Sequence, residues 1–177
     1  METSWKGIVW HQFDAAIDML DDAIVACPDD VWRDRARRPE FWYVAYRALL
    51  FLDLYLSGSI DGFAPPAPFT LDELDPAGRV PDRPFSKHDL QGYLRHGREK
   101  CRTTVCGLTD DRAADLCRFP WGEVRFAELL LFNMRHVQHH AAQLNLILRQ
   151  TTDSASDRVS QAEAVQRFPV EAAATSG

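Results

Sequence analysis

The sequence predicts an all-α fold, and three observations carry that prediction. Apolar residues recur at helical spacing along four long stretches. One connection between those stretches, residues 58–85, is long and holds six of the chain's ten prolines. The composition, 46% hydrophobic and 26% charged over 177 residues, suits one globular domain with room for a sizeable core.

The first helix is expected from about Trp10 to Ala26, with Phe13, Ile17, Leu20 and Ile24 as its apolar stripe and Cys27-Pro28 as its close. The second is expected from Pro39, a residue suited to the first helical position, to Leu56, with Ser57-Gly58 as the stop. The third begins near Ser86 as N-cap and buries Leu90, Leu94, Cys101, Val105 and Leu108. The fourth and longest runs from about Arg125 to Arg149. Residues 1–150 thus form the folded domain. Residues 151–177, rich in Ser, Ala, Asp and Gln, read as a weakly ordered tail.

A simple helix–helix turn is far shorter than residues 58–85. A crossover explains the length, because two consecutive helices running the same way need a connection along the full height of the fold. Phe63 and Phe69 leave two roles open for this segment, a structural crossover or a cap over a pocket.

Twenty basic and 26 acidic side chains leave a net charge of −6, which disfavours nucleic acid and anionic membrane as partners. The one basic run, RDRARR at 33–38, reads as a solvated turn between helices. METSWKGIVWHQF at the start holds no long apolar core of a signal peptide. The most apolar stretch, FWYVAYRALLFLDLYL at 41–56, carries Arg47 and Asp53 and is too short to span a bilayer comfortably. A cytoplasmic protein is expected. Its four cysteines show neither a CxxC pair nor zinc-knuckle spacing, so they are expected to be reduced. Phe41, Trp42, Leu49 and Leu52 give the second helix another apolar face, which predicts a homodimer unless the crossover covers it.

FNMRHVQHHAAQLN at 132–145 places three of six histidines within five positions. With about 100° per residue, and His136 set at zero, the apolar arc of this helix centres near 60–80°. Asn133 falls near 60° and His140 near 40°, inside the arc, whereas His139 falls about 60° outside it. His136, His140 and Asn133 therefore point inward, and His139 faces solvent. Two histidines one turn apart can grip a single metal. They can equally be a hydrogen-bonded core pair, and a third ligand must come from another helix.

MRHVQHHAAQLN resembles the C-terminal helix signature of the DinB/YfiT-like superfamily. The second helix with the Pro-rich segment, FWYVAYRALLFLDLYLSGSIDGFAPPAPFTLDELDP, is similar to the matching region of DinB-like proteins. The likeness extends over roughly residues 10–150. It implies a four-helix bundle in up-down-down-up order, with the long crossover between helices two and three. It also implies a divalent metal, zinc or nickel, on three histidines. Two of these map onto His136 and His140, and the third comes from the middle of the second helix. Some relatives are thiol-dependent transferases or isomerases, and many have no assigned activity.

The position that would hold the third imidazole is Arg47, which helical angles also turn inward. Arginine offers no lone pair, and its fixed charge repels a divalent cation. His11, His88, His96 and His139 lie on the wrong faces to replace it. The implied metal site is therefore altered here. An inward arginine needs acceptors, and His136, His140, Asn133 and Glu40 are the candidates. Arg47 is then either an internal plug or the anchor for an anionic small molecule. Three functions stay open: a metal-dependent thiol transferase or hydrolase-like enzyme, a metal-free module binding a small anion, and a bundle with a purely structural or partner-binding role.

Overall fold

The computed structural model describes residues 4–74 and 83–151. The chain is mostly helical: α1 (Trp5–Ala26), α2 (Asp29–Trp32), α3 (Phe41–Ser57), α4 (Lys87–Cys106), α5 (Asp110–Ala114) and α6 (Phe126–Thr151). A small antiparallel hairpin, β1 (Leu116–Phe119) and β2 (Gly122–Arg125), precedes α6 and leaves the expected all-α class broadly in place. The expected tail lies outside the described residues, apart from Thr151, which closes α6.

Local chemistry sets the ends of the long helices. α1 starts more than a turn before the expected Trp10, because Ser4 caps it and accepts from the Gly7 amide at 3.1 Å. α3 starts at Phe41 with Glu40 as N-cap, so Pro39 lies outside the helix rather than at its first position. The Glu40 side chain does not turn to Arg47 as the sequence allowed. It accepts from Trp42 Nε1 at 2.5 Å and pairs with Arg35 and Arg38 at 3.1 and 3.2 Å. The basic run is thus an exposed turn that folds back to neutralise one buried carboxylate. α4 begins as expected, with Ser86 and Asp89 forming a reciprocal capping box. Leu108 lies past its end and is half-buried.

Gly58 ends α3 in the left-handed region, at φ 77°, where a side chain would also run into Arg112 and Phe126. Arg112 of α5 donates to the Ser57 carbonyl at 3.3 Å and lies 4.0 Å over the Phe126 ring. One side chain thereby satisfies the end of α3 and fixes the start of α6.

α1 and α3 each pack against both α4 and α6 and touch one another little. α3 is buried around most of its circumference: Phe41, Trp42, Leu49 and Leu52 are all 0% exposed. Trp32 of α2 lies 5.8 Å from Phe41, and Phe85 lies 6.0 Å from Trp42. Gly97 lets α4 close on Leu52, where an added Cβ would stand 2.9 Å from its Cδ2. The chain's own elements cover the second apolar face, so the reason for expecting a homodimer falls away.

Phe63 and Phe69 of the Pro-rich connection are both buried. Phe69 stacks on Tyr46 of α3 at 5.7 Å and on Tyr93 of α4 at 4.4 Å. The described part of this segment is cover for α3 and α4, away from the α6 histidines. No helix among the described residues is long and apolar enough to cross a membrane.

Candidate functional site

Two rows of side chains at i, i+4 spacing meet where α3 packs on α6. Tyr43, Arg47, Phe51 and Tyr55 form the α3 row, and Phe132, His136 and His140 form the α6 row. Arg47 is half-buried, with its guanidinium 6.0 Å from the Tyr43 ring centre and 5.6 Å from that of Phe51. The His136 ring meets Phe51 edge-on at 5.6 Å, Tyr55 at 5.8 Å and His140 at 4.5 Å. The directions expected from helical angles hold for all three histidines: His136 and His140 are half-buried, and His139 is exposed.

Burial pushes the His136 pKa down to about 3, and the charges of His140 and Arg47 push the same way. A hydrogen bond to the Arg47 backbone opposes the shift. Burial also lowers His140, aided by His139 and Arg47, while Gln143, 2.8 Å from His140 Nδ1, works against it. Both imidazoles are therefore neutral at neutral pH. His136 Nε2 is buried without a hydrogen-bond partner. With the other ring nitrogen donating to the Arg47 carbonyl, Nε2 carries a spare lone pair. So depressed a pKa makes His136 a hydrogen-bond acceptor rather than a proton-abstracting base.

A three-histidine metal centre needs three lone pairs converging on one point. His136 and His140 supply two at most. Arg47, at the third position, supplies a cation. Among the described residues no group of three or more His, Cys, Asp or Glu side chains could hold a metal ion. The donor set does not fit the metal that the family resemblance implies.

Asn133 is fully buried, as its angle required, but it does not line open space. Its Nδ2 donates to the Leu52 carbonyl at 2.9 Å, clamping α6 to α3. Its Oδ1, the acceptor that the sequence offered to Arg47, is buried without a hydrogen-bond partner.

On its outer side His136 borders a hollow of about 500 Å³, which Phe132, Arg135, Gln138, His139 and Ala142 also line. Among the described residues that lining contains a cation and no acid. Sequence reasoning missed the aromatic cluster around Phe132. Tyr55 meets Phe132 at 5.4 Å and Phe119 at 5.2 Å, and Trp121 at the hairpin tip lies 5.1 Å from Phe132. The signal available was Phe119-Pro120-Trp121-Gly122, turn residues between two short runs. Gly122, at φ 142°, takes a conformation that other residues rarely adopt. Sequence reasoning also passed over Asp53, which is fully buried and bound to Lys100 and Tyr93 of α4.

Comparison with curated proteins gives no match. The family model described as the DinB superfamily matches residues 12–144, a span that takes in α3, the Pro-rich connection and both inward histidines, and the chain therefore belongs to the DinB superfamily.

Proposed function

We propose that this chain is an up-down-down-up four-helix bundle of the DinB superfamily whose metal centre has been replaced by Arg47, leaving a metal-independent site for a small anion. One observation carries the reading: a half-buried guanidinium stands beside two imidazoles that burial keeps neutral. A metal site would put its positive charge on the ion. Here the side chain supplies that charge permanently, so the complementary ligand is an anion.

Glu40, a carboxylate that the sequence offered to Arg47, is bound to Trp42, Arg35 and Arg38. In the proposed complex Arg47 holds the anionic group, and His136 Nε2 accepts from a donor on the same ligand. The packing of α3 on α6, clamped by Asn133, keeps the two at a fixed separation.

Thermal melts in acetate and in chloride at matched ionic strength test the reading. Wild-type protein is expected to melt higher in acetate, with a dependence on concentration that follows mass action. Arg47→Gln is expected to lose that increment. Equal behaviour of the two proteins, or no increment in wild type, contradicts the proposal.

A further inference from the structure

We infer that the groove between the starts of α1 and α6 is the interface of a homodimer, in which Trp5 of each copy packs against α6 of the other. Trp5 is 66% exposed on the first turn of α1, and Ile8, one turn on, is 41% exposed. Leu131 on α6 is 39% exposed. Trp5 and Leu131 line one groove of about 280 Å³, floored in part by Val105 of α4. Among the described residues its lining is apolar apart from Lys6 and Glu128. That volume lies below the roughly 300–1,000 Å³ of small-molecule pockets, which also use several converging polar groups. The occupant that fits is an apolar side chain from another protein surface.

The groove carries its own complement, which selects a second copy of this chain. A two-fold contact uses one patch twice, so the patch must hold both a projecting residue and its receptor. Trp5 is the projection, and the apolar groove beside it is the receptor. The charges are self-complementary too, because α1 brings Lys6 to the groove and α6 brings Glu128. Lys6 makes a 3.5 Å bond to the exposed Cys106 carbonyl, which leaves its charge without a counter-ion there. A two-fold axis along the groove sets α1 of each copy against α6 of the other. Lys6 then faces the partner's Glu128 twice per dimer, and Trp5 covers the partner's Leu131. An axis across the groove would instead set α1 on α1 and bring like charges together, which is unfavourable. The helix on which the sequence placed a dimer, α3, takes no part in this contact.

Sedimentation equilibrium of the full chain tests the interface through the dimer dissociation constant. Wild-type protein is expected to dimerise in the micromolar range. Trp5→Ala should weaken the dimer about a hundredfold, because the indole is lost twice per contact. Being largely exposed, the residue should leave the helical circular dichroism unchanged. Lys6→Glu and Glu128→Lys should each weaken the dimer about tenfold, since each sets like charges across the axis. An equimolar mixture of those two variants should associate within about threefold of wild type, because both contacts of the mixed dimer again join opposite signs. A pairing within one chain cannot be restored by mixing. Wild-type protein that stays monomeric overturns the inference, whether the groove is open, covered by residues 152–177 or taken by a different protein. A dimer that Trp5→Ala leaves unchanged overturns it as well. So does a mixture that associates no more tightly than its two components.

Discussion

Two polar clusters are built into the faces of α3, and they differ in how their charges are answered. Against α4, Asp53 is 0% exposed, yet both its carboxylate oxygens are matched: Lys100 Nζ at 2.5 Å and Tyr93 Oη at 3.1 Å. Lys100 goes on to bond Ser57 Oγ at 2.7 Å and the Asp53 carbonyl at 3.1 Å, and His96 Nε2 approaches to 3.6 Å. Against α6, Arg47 faces two neutral histidines whose protonation it opposes, and a buried ring nitrogen keeps an unused lone pair. The first cluster pairs opposite charges and completes its own hydrogen bonds, so its consequence is stability. The second sets a cation beside two neutral imidazoles, and on the reading proposed above its role is binding.

Mutation should separate the two clusters most sharply through stability. Asp53→Ala strands the Lys100 ammonium and a buried Tyr93 hydroxyl. It is expected to cost about 2–3 kcal/mol, below the roughly 3–5 kcal/mol of a fully buried broken pair, because Lys100 is partly exposed. For a chain of this size that is a fall of roughly 5–10 °C in melting temperature. A loss below about 1 kcal/mol would show that the α3–α4 cluster is not a stabilising network.

Asn133→Ala removes the clamp between α6 and α3 from a fully buried position. A loss of about 1–2 kcal/mol is expected by chemical denaturation. Because the clamp sets the separation of Arg47 and His136, acetate affinity should fall in the same variant. Unchanged affinity would detach Asn133 from the site.

pH divides the clusters in another way. The folded state holds His136 near pKa 3 against an ordinary 6.5, so protonation is penalised on folding. Its contribution to stability is complete above pH 6.5 and is lost as pH falls toward 3, by up to about 1.4 kcal/mol per unit. Burial raises Asp14 and Asp21, which act with the opposite sign and only near the carboxylate range. Denaturation curves at pH 7, 6 and 5 therefore isolate the histidine contribution, and His136→Gln should flatten the slope. A slope that survives in His136→Gln assigns the acid sensitivity elsewhere.

The smallest stability effect is expected at Arg47 itself. Arg47→Gln loses ring contacts worth about 0.5–1 kcal/mol each but relieves the desolvation of a cation, so the net change should stay within about 1 kcal/mol. A loss as large as that of Asp53→Ala would make Arg47 the internal plug.

The contrast also explains what the sequence could and could not disclose. Helical spacing alone fixes direction, so the inward set of Arg47, Asn133, His136 and His140 and the outward His139 are legible from the residues themselves. Direction does not say which atom answers which. By direction Asn133 belongs to the pocket, yet it is bound to Leu52. By direction Glu40 suits Arg47, yet it is bound to Arg35, Arg38 and Trp42. The Asp53 network escaped because Lys100 and His96 lie beside the apolar stripe of α4 rather than on it. The hairpin escaped because strands of four residues are too short for alternation to register, which left only Pro120 and Gly122 as signals. Periodicity showed two apolar faces on α3 but could not say that α2, α4 and the Pro-rich connection would cover the second.

The most direct test of the replacement of the metal centre by Arg47 is the zinc stoichiometry of tag-free protein, wild type beside Arg47→His. Wild-type protein is predicted to hold zinc far below one ion per chain. Arg47→His removes the repelling cation and adds the third imidazole, so it should take up close to one ion and be thermally stabilised by it. Adding His140→Ala should abolish that gain, and adding His139→Ala should leave it intact. One tightly held ion per wild-type chain, lost on His136→Ala or His140→Ala, would contradict the account, as would an Arg47→His protein that folds and takes up none.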